Sequence, residues 1–446
     1  MFVLLLKKFL RSGIAIVGLS VLLLAGIIGI YIGKQHVQKQ QDSIVRTEHA
    51  LQEHIERNVQ FFDKEMGLLL YYLRFNLVNQ PHPLNALSIG QRDVNSSIQR
   101  VTIRNLEGQR YDTDLFNPSN LLAGNLDFSF VLIYLFPLLI ISLTYNLLSE
   151  EKEQGTWQLL SAQSASPAKV LLKKLAIRAM VVMAALAILF LLAGVILSLP
   201  IDSSLLAVII ISFLYLLVWF AICFWVVSLQ KRSSTNAVIL LSAWMLLTLI
   251  LPGLANNYII SRYPVPEALS TVVSQREGYH EKWDMDKQAT MEKFYAHYPQ
   301  FRKYPLPDKA FSWLWYYAMQ QMGDDDARLQ SEQMREKLWQ REKGSSNIAR
   351  FLPALYTQHQ INTIARSGLG NHLQFLDSTA KFHEKMRLHF YPRIFEEAAV
   401  SSENWKAFTT EYFSGDIRIK WLSMLAPVLL MAGLFSAFSW WNFRRS

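Results

Sequence analysis

The residues best suited to chemistry are a His383-Glu384 pair with His389 six positions on, three consecutive carboxylates at Asp324, Asp325 and Asp326, and two glycine–lysine pairs. A zinc hydrolase places two imidazoles one helical turn apart with a glutamate between them, as HExxH, so that both rings meet the metal from one face. Here His389 falls off that face, which favours surface or helix-packing roles. The three aspartates follow Gly323 and offer hard oxygen ligands, yet such a run also suits a solvated helix start. Nucleotide hydrolysis needs a phosphate cradle, GxxxxGK[ST], ahead of a helix. Gly33-Lys34 is followed by Gln35, and Lys343-Gly344-Ser345 has the wrong order. No GxSxG nucleophile elbow occurs, and the one cysteine, Cys223, allows neither an internal disulfide nor a thiolate metal cluster. The expectation is a chain without catalytic residues that binds no metal or cofactor itself.

What would hold any site in place is a membrane. Hydrophobic residues make up 51% of the 446 and charged ones 18%, above what a soluble chain carries. Six runs longer than twenty residues lack Asp, Glu, Lys and Arg: 12–33, 128–149, 179–201, 203–230, 233–261 and 421–443. A bilayer core of about 30 Å needs about 20 apolar residues in a helix, so each run is long enough to span. The first follows Lys7, Lys8 and Arg11 like a secretory signal but has no small-residue cleavage site, and reads as an uncleaved anchor. None of the six carries an ionisable group of the sort that proton or cation relays use.

Basic residues flank the spans at Lys7, Lys8 and Arg11, at Lys169, Lys173, Lys174 and Arg178, at Lys231 and Arg232, and at Arg444 and Arg445. All fall on one side if both termini are cytoplasmic. The formal net charge of +9 is then largely anchoring charge, and no basic run with interleaved aromatics points to nucleic acid.

The expected fold is mainly α: a polytopic membrane protein with six transmembrane helices and two extracytoplasmic domains. Residues 1–33 hold an N-terminal interfacial helix, or a plain basic flank, and the first span. Domain one, 34–127, opens with Leu51, Ile55, Val59, Phe62, Met66, Leu69 and Leu73 at helical spacing, a stalk continuing the first span. Residues 98–114 suggest a small hairpin turning at Glu107-Gly108. Further spans cover 128–149, 175–199, 203–230, 233–261 and 421–443. Domain two, 262–420, reads as all-helical, with helices over 266–297, 308–343, 347–366 and 371–398. Its Phe311, Trp313, Leu314, Trp315 and Tyr316 suit a core or an interfacial belt better than a ligand cage.

Between the second and third spans, 150–174 begin as an acidic helix, break near Gly155, present Trp157, Leu159 and Leu160, and restart with Ser166 as N-cap and Pro167 in the first turn. An apolar edge on a short helix outside the membrane asks for a partner surface. The pattern E-E-x-E-x-G-T-x-x-L-L and then S-P-x-x-V-L-L-x-K resembles the cytoplasmic coupling segment of ABC-2 type transporter permeases. Asn117-Pro118, Leu122, Gly124, Asp127 and Tyr134-Leu-Phe-Pro137, with Pro353-Ala354, Asn371-His372, Phe375, His383, Arg387 and Tyr391-Pro392, resemble the NosY-like permeases that bear a DUF3526-type outer domain.

The resemblance implies a subunit of the bacterial inner membrane that docks on a dimer of cytoplasmic ABC ATPases, with ATP and magnesium on those partners. A second permease subunit, identical or related, and membrane lipid complete the set. Glu150, Glu151, Glu153, Gly155, Thr156, Leu159 and Leu160 would form the ATPase interface. The function implied is ATP-driven export; the alternative is a mechanotransmission protein, driven by the same ATPase to act on an extracytoplasmic partner without transport.

Overall fold

The computed structural model describes residues 6–7, 9–110, 125–158, 167–267, 273, 277, 281–415 and 417–445. Six of its helices are long and apolar enough to cross a membrane. The first, α1 (Gly13–Phe61), starts where the Ser12 hydroxyl accepts from the Ala15 N–H at 3.3 Å. Its 49 residues extend about 70 Å, more than twice a hydrocarbon core, so its second half leaves the bilayer as the stalk the apolar spacing requires. Gly29 and Gly33 are points of close approach within the chain. A Cβ on Gly33 would lie 1.7 Å from the Ala86 carbonyl oxygen, and one on Gly29 would lie 2.8 Å from the Asp127 carbonyl carbon. These glycines let the loop around Ala86 and the head of the second span press onto α1.

The other spans are α3 (Phe128–Glu153), α4 (Pro167–Leu197), α5 (Ser203–Ser228), α6 (Ser233–Arg262) and α11 (Trp421–Arg445). Helix α5 is central, with Tyr215 and Trp219 fully buried. Prolines kink its neighbours, and tyrosines answer the kinks. Pro137 has no N–H for the Ile133 carbonyl four residues back; the Tyr215 hydroxyl donates to it at 2.8 Å, beside a π-turn at Val131–Leu135. Pro427 frees the Ser423 carbonyl in the same way, and Tyr356 donates there at 2.9 Å.

Beyond the spans lies one aromatic-rich body. It is built from the end of α1, α2 (Met66–Tyr72), α7 (Lys287–His297), α8 (Trp313–Ala349), α9 (Pro353–Ile364) and α10 (Leu369–Phe395). A three-stranded sheet joins them: β1 (Phe75–Asn79) pairs antiparallel with β2 (Ile98–Val101), Phe75 opposite Val101. On its other edge β1 pairs parallel with β3 (Glu411–Phe413), Leu77 opposite Glu411.

Several expectations are corrected here. The hairpin at Glu107-Gly108 does not form, because Glu107–Arg110 is a helical turn and β2 finds its partner in β1; most of the expected second arm lies outside the described residues. The second stretch is not all-helical, since it supplies β3. Nor do the two stretches form separate cores: Leu51, Ile55, Leu69 and Phe75 share one with Phe294, Tyr317, Phe375 and Phe390. Gly344 does not end a helix. α8 runs through it, and the glycine admits Ile259, whose Cδ1 would lie 2.7 Å from an added Cβ. Asp324, Asp325 and Asp326 are mid-helix in α8 rather than at a solvated start.

Short α9 links body and spans. It packs against α5, α11, the π-turn of α3 and a second π-turn at Leu246–Ile250 within α6. Beside it Asp127 is nearly fully buried and caps α3, accepting from the N–H groups of Phe130 and Ile89, each at 2.9 Å.

Candidate coupling site

At the bundle's basic end, α3 overruns its apolar stretch and closes as Ser149–Glu153. Gly155 then turns the chain at φ +72, with nothing within 4 Å of where a Cβ would be. A left-handed residue after a helix is the usual glycine stop. The structure brings Glu150, Glu151, Glu153, Gly155 and Thr156 together on this one turn; Leu159 and Leu160 lie outside the described residues.

Two of the three carboxylates reach another helix, and Glu150 stays within its own. Glu150 accepts from the Asn146 amide at 2.8 Å, Glu151 pairs with Lys174 of α4 and accepts from the Thr156 hydroxyl, and Glu153 accepts from the Ser233 N–H at 2.8 Å and its hydroxyl at 2.9 Å. The last contact caps α6. The first N–H groups of a helix have no partner within it, and here the acceptor arrives from another helix. Lys152 donates to Gln230 at 2.5 Å, and the hydroxyls of Ser149 and Ser233 lie 2.7 Å apart. The turn is therefore bound by polar contacts to the ends of three spans.

Trp157 is only partly exposed. It packs on a small cluster of Leu147, Leu148, Leu171 and Val227, so part of the apolar edge expected to await a partner is satisfied within the chain. The outward surface includes exposed Lys152, Glu153, Gln154, Gly155, Thr156 and Gln158. Sequence reasoning missed Ser233, Asn146 and Gln230. Ser233 had a signal, since a span beginning just after Arg232 leaves orphan amides to be capped.

The other candidate groups are engaged elsewhere. Asp324 pairs with Arg387 at 2.7 Å and accepts from the N–H groups of Leu106 and Glu107 at 2.8 and 3.2 Å. Asp325 lies 2.8 Å from His297, whose pKa it raises by hydrogen bonding, and Asp326 pairs with Lys282. His389 meets Glu403 at 3.1 Å, while burial and the nearby Arg387 keep His383 neutral. Among the described residues no group of three or more His, Cys, Asp or Glu is placed to hold a metal ion.

A family model described as "ABC-2 family transporter protein" matches residues 6–306, and one described as "Domain of unknown function (DUF3526)" matches 269–412. Comparison with curated proteins and with solved structures gave no match.

Proposed function

Because this chain belongs to the ABC-2 family of transporter proteins, we propose that it is the permease subunit of an ATP-driven exporter in a bacterial inner membrane, with both termini cytoplasmic. Membership implies association with an ABC ATPase. In the proposed assembly two such ATPase subunits hydrolyse ATP with magnesium, a second permease completes the pathway, and the 149–157 turn receives the stroke.

The observation that carries this reading is the triple attachment of the turn. A push on it, itself the end of α3, is delivered at once to the ends of α4, α5 and α6, through Lys174, Gln230 and Ser233. A loop tied to one span would transmit the same push poorly.

The test is a substitution at Gly155, which has open space around it. Gly155→Asn suits a left-handed backbone and retains ATPase association in a co-purification assay, whereas Gly155→Trp abolishes it, read on folded, monodisperse permease because the left-handed backbone costs a bulky residue some stability. Undiminished association of Gly155→Trp would sink the assignment of this surface.

A second reading is favoured by α1, which runs unbroken from the first span into the distal body, and by Tyr356, which ties that body to α11. The same stroke would then move the distal body against an extracytoplasmic partner with nothing crossing. ATP-dependent accumulation of any cargo in reconstituted vesicles decides for export.

A further inference from the structure

A narrow basic recess lies where the chain after β1 meets the turn between α9 and α10. Asn79, Gln91, Arg92, Arg366, Ser367 and His372 line it, and no carboxylate does. Only about 10 Å³ is open to the centre of a water-sized group, room for one oxygen atom rather than a whole molecule.

Its walls carry positive charge that nothing in the described residues neutralises. Arg92 is 7% exposed. Its guanidinium donates to the Asn79 carbonyl at 3.0 Å, the Asn79 side chain at 2.8 Å, and the carbonyls of Gln80 at 3.2 Å and Arg366 at 3.1 Å. All four acceptors are neutral, and a buried cation without a counter-ion is costly. Burial and the adjacent Arg366 push Arg92 down to about 10.

Arg366 is held at φ +58 as the left-handed residue that ends α9, where the Ser367 N–H returns to the Asn362 carbonyl at 2.9 Å, a helix stop that costs a side chain more than it costs glycine. Its Nε is buried without a hydrogen-bond partner, as is the His372 Nδ1. The backbone fixes the geometry: the Gln91 N–H donates to the Ser367 carbonyl at 2.8 Å, and Gly90, at φ +57, allows that approach because a Cβ would meet the same oxygen at 2.5 Å.

A larger cleft of about 370 Å³ shares Gln91 and Gly368 with the recess and runs to Ile259 and Ile260 at the end of α6, past Leu338 and Leu369, its remaining lining polar, with Asn256, Ser345, Asn362 and Thr363. Its volume is that of a small-molecule site. The cleft's carboxylate, Glu342, lies 3.1 Å from His359 Nε2, and Arg341 beside it donates to the Tyr263 carbonyl at 2.8 Å. Since α6 is a span, the cleft opens where the membrane ends.

We propose that recess and cleft together bind an anionic amphiphile, with one oxyanion group seated between Arg366 and Arg92 and its apolar body in the cleft beside α6. An anionic membrane lipid and a soluble fatty-acid-like anion share this chemistry. The proposal needs no ATPase, so its failure leaves the permease reading standing.

The test uses the full chain in nanodiscs of zwitterionic lipid, with octanoate as probe and melting temperature as readout. Octanoate raises the wild-type melting temperature, and Arg366→Gln weakens its apparent affinity about tenfold or more, the effect of losing a charged hydrogen bond. Arg366→Gly relieves the left-handed backbone, so it melts higher than wild type without probe and still loses the response. These opposite signs separate binding from folding. Adding an anionic phospholipid to the disc distinguishes the sources: suppression of the octanoate response in wild type assigns the site to membrane lipid, and an unchanged response assigns it to a soluble amphiphile. An undiminished response in Arg366→Gln, or an equal shift from sodium chloride at the same ionic strength, would overturn the site. An equal shift from inorganic phosphate would overturn the part given to the cleft.

Discussion

The turn at 149–157 and the Arg387 cluster of the distal body both rest on carboxylates that accept backbone N–H groups, but they do so in opposite surroundings. In the turn, Glu153 is exposed and its two bonds to Ser233 compete with water. In the body, Asp324 is buried with Arg387, which also bonds the carbonyls of Ile103 and Arg104 and the Gln321 side chain. Exposed polar contacts are worth little in stability and break readily, whereas a buried charge that loses its partner is expensive. The same residue types thus make one end of the molecule adaptable and the other rigid, as the proposed coupling would require of a receiving and a delivering end.

The largest effect should come from breaking the rigid end. Arg387→Met leaves Asp324 in the core without its counter-ion and the carbonyls of Ile103 and Arg104 without their donor, and is expected to destabilise the body by about 3–5 kcal/mol. Denaturant unfolding followed by tryptophan fluorescence measures it. Adding Asp324→Leu should restore only part of the loss, because Asp324 also accepts from Leu106 and Glu107. Full restoration would show that the pair alone, not the network, sets the rigidity.

The link between the ends is expected to rank second. Tyr356→Phe removes the donor to the carbonyl that Pro427 frees, costing about 1–2 kcal/mol. With Pro427→Ala in place, the residue 427 N–H supplies that carbonyl itself, and Tyr356→Phe should cost less. Additive losses in this double-mutant cycle would separate the tyrosine from the kink.

How much of this was legible in the sequence follows the range of each interaction. The six spans were, because lipid imposes a local condition, a long uncharged run. So was the stalk of α1, whose Leu51, Ile55 and Val59 repeat at helical spacing. The role of Asp324 was not, since its partner lies 63 residues away and three acids in a row look alike whether solvated or buried. β3 was hidden for the same reason, as three residues pair with a strand more than three hundred positions earlier. At the 149–157 turn the acidic pattern was legible, but the acceptors' use within the chain depended on α4 and α6 lying alongside.

At the adaptable end, Glu153→Ala should leave global stability unchanged and speed amide exchange at Ser233 and the following residues, whose cap it removes. Hydrogen-exchange mass spectrometry over 230–236 reads this directly. Unaltered exchange would mean that α6 is capped by other means and that the turn grips only two spans.

The smallest effect concerns a pair on the body's surface that combines both settings. His297 is about one third exposed and lies 2.8 Å from Asp325, whose hydrogen bond raises the imidazole pKa above its ordinary value. A group whose folded pKa is raised stabilises fully below its unfolded pKa, and the contribution disappears as pH climbs through the raised value. The pair should therefore add stability at about pH 5.5 and add none at about pH 8.5, with a size of about 0.5 kcal/mol because solvent screens it. Asp325→Asn should lower the unfolding midpoint at the acidic pH and leave it unchanged at the basic one. A loss of equal size at both would show that Asp325 acts through its neutral bond from Gln321, at 3.1 Å, and that this surface belongs with the rigid core rather than with the exposed turn.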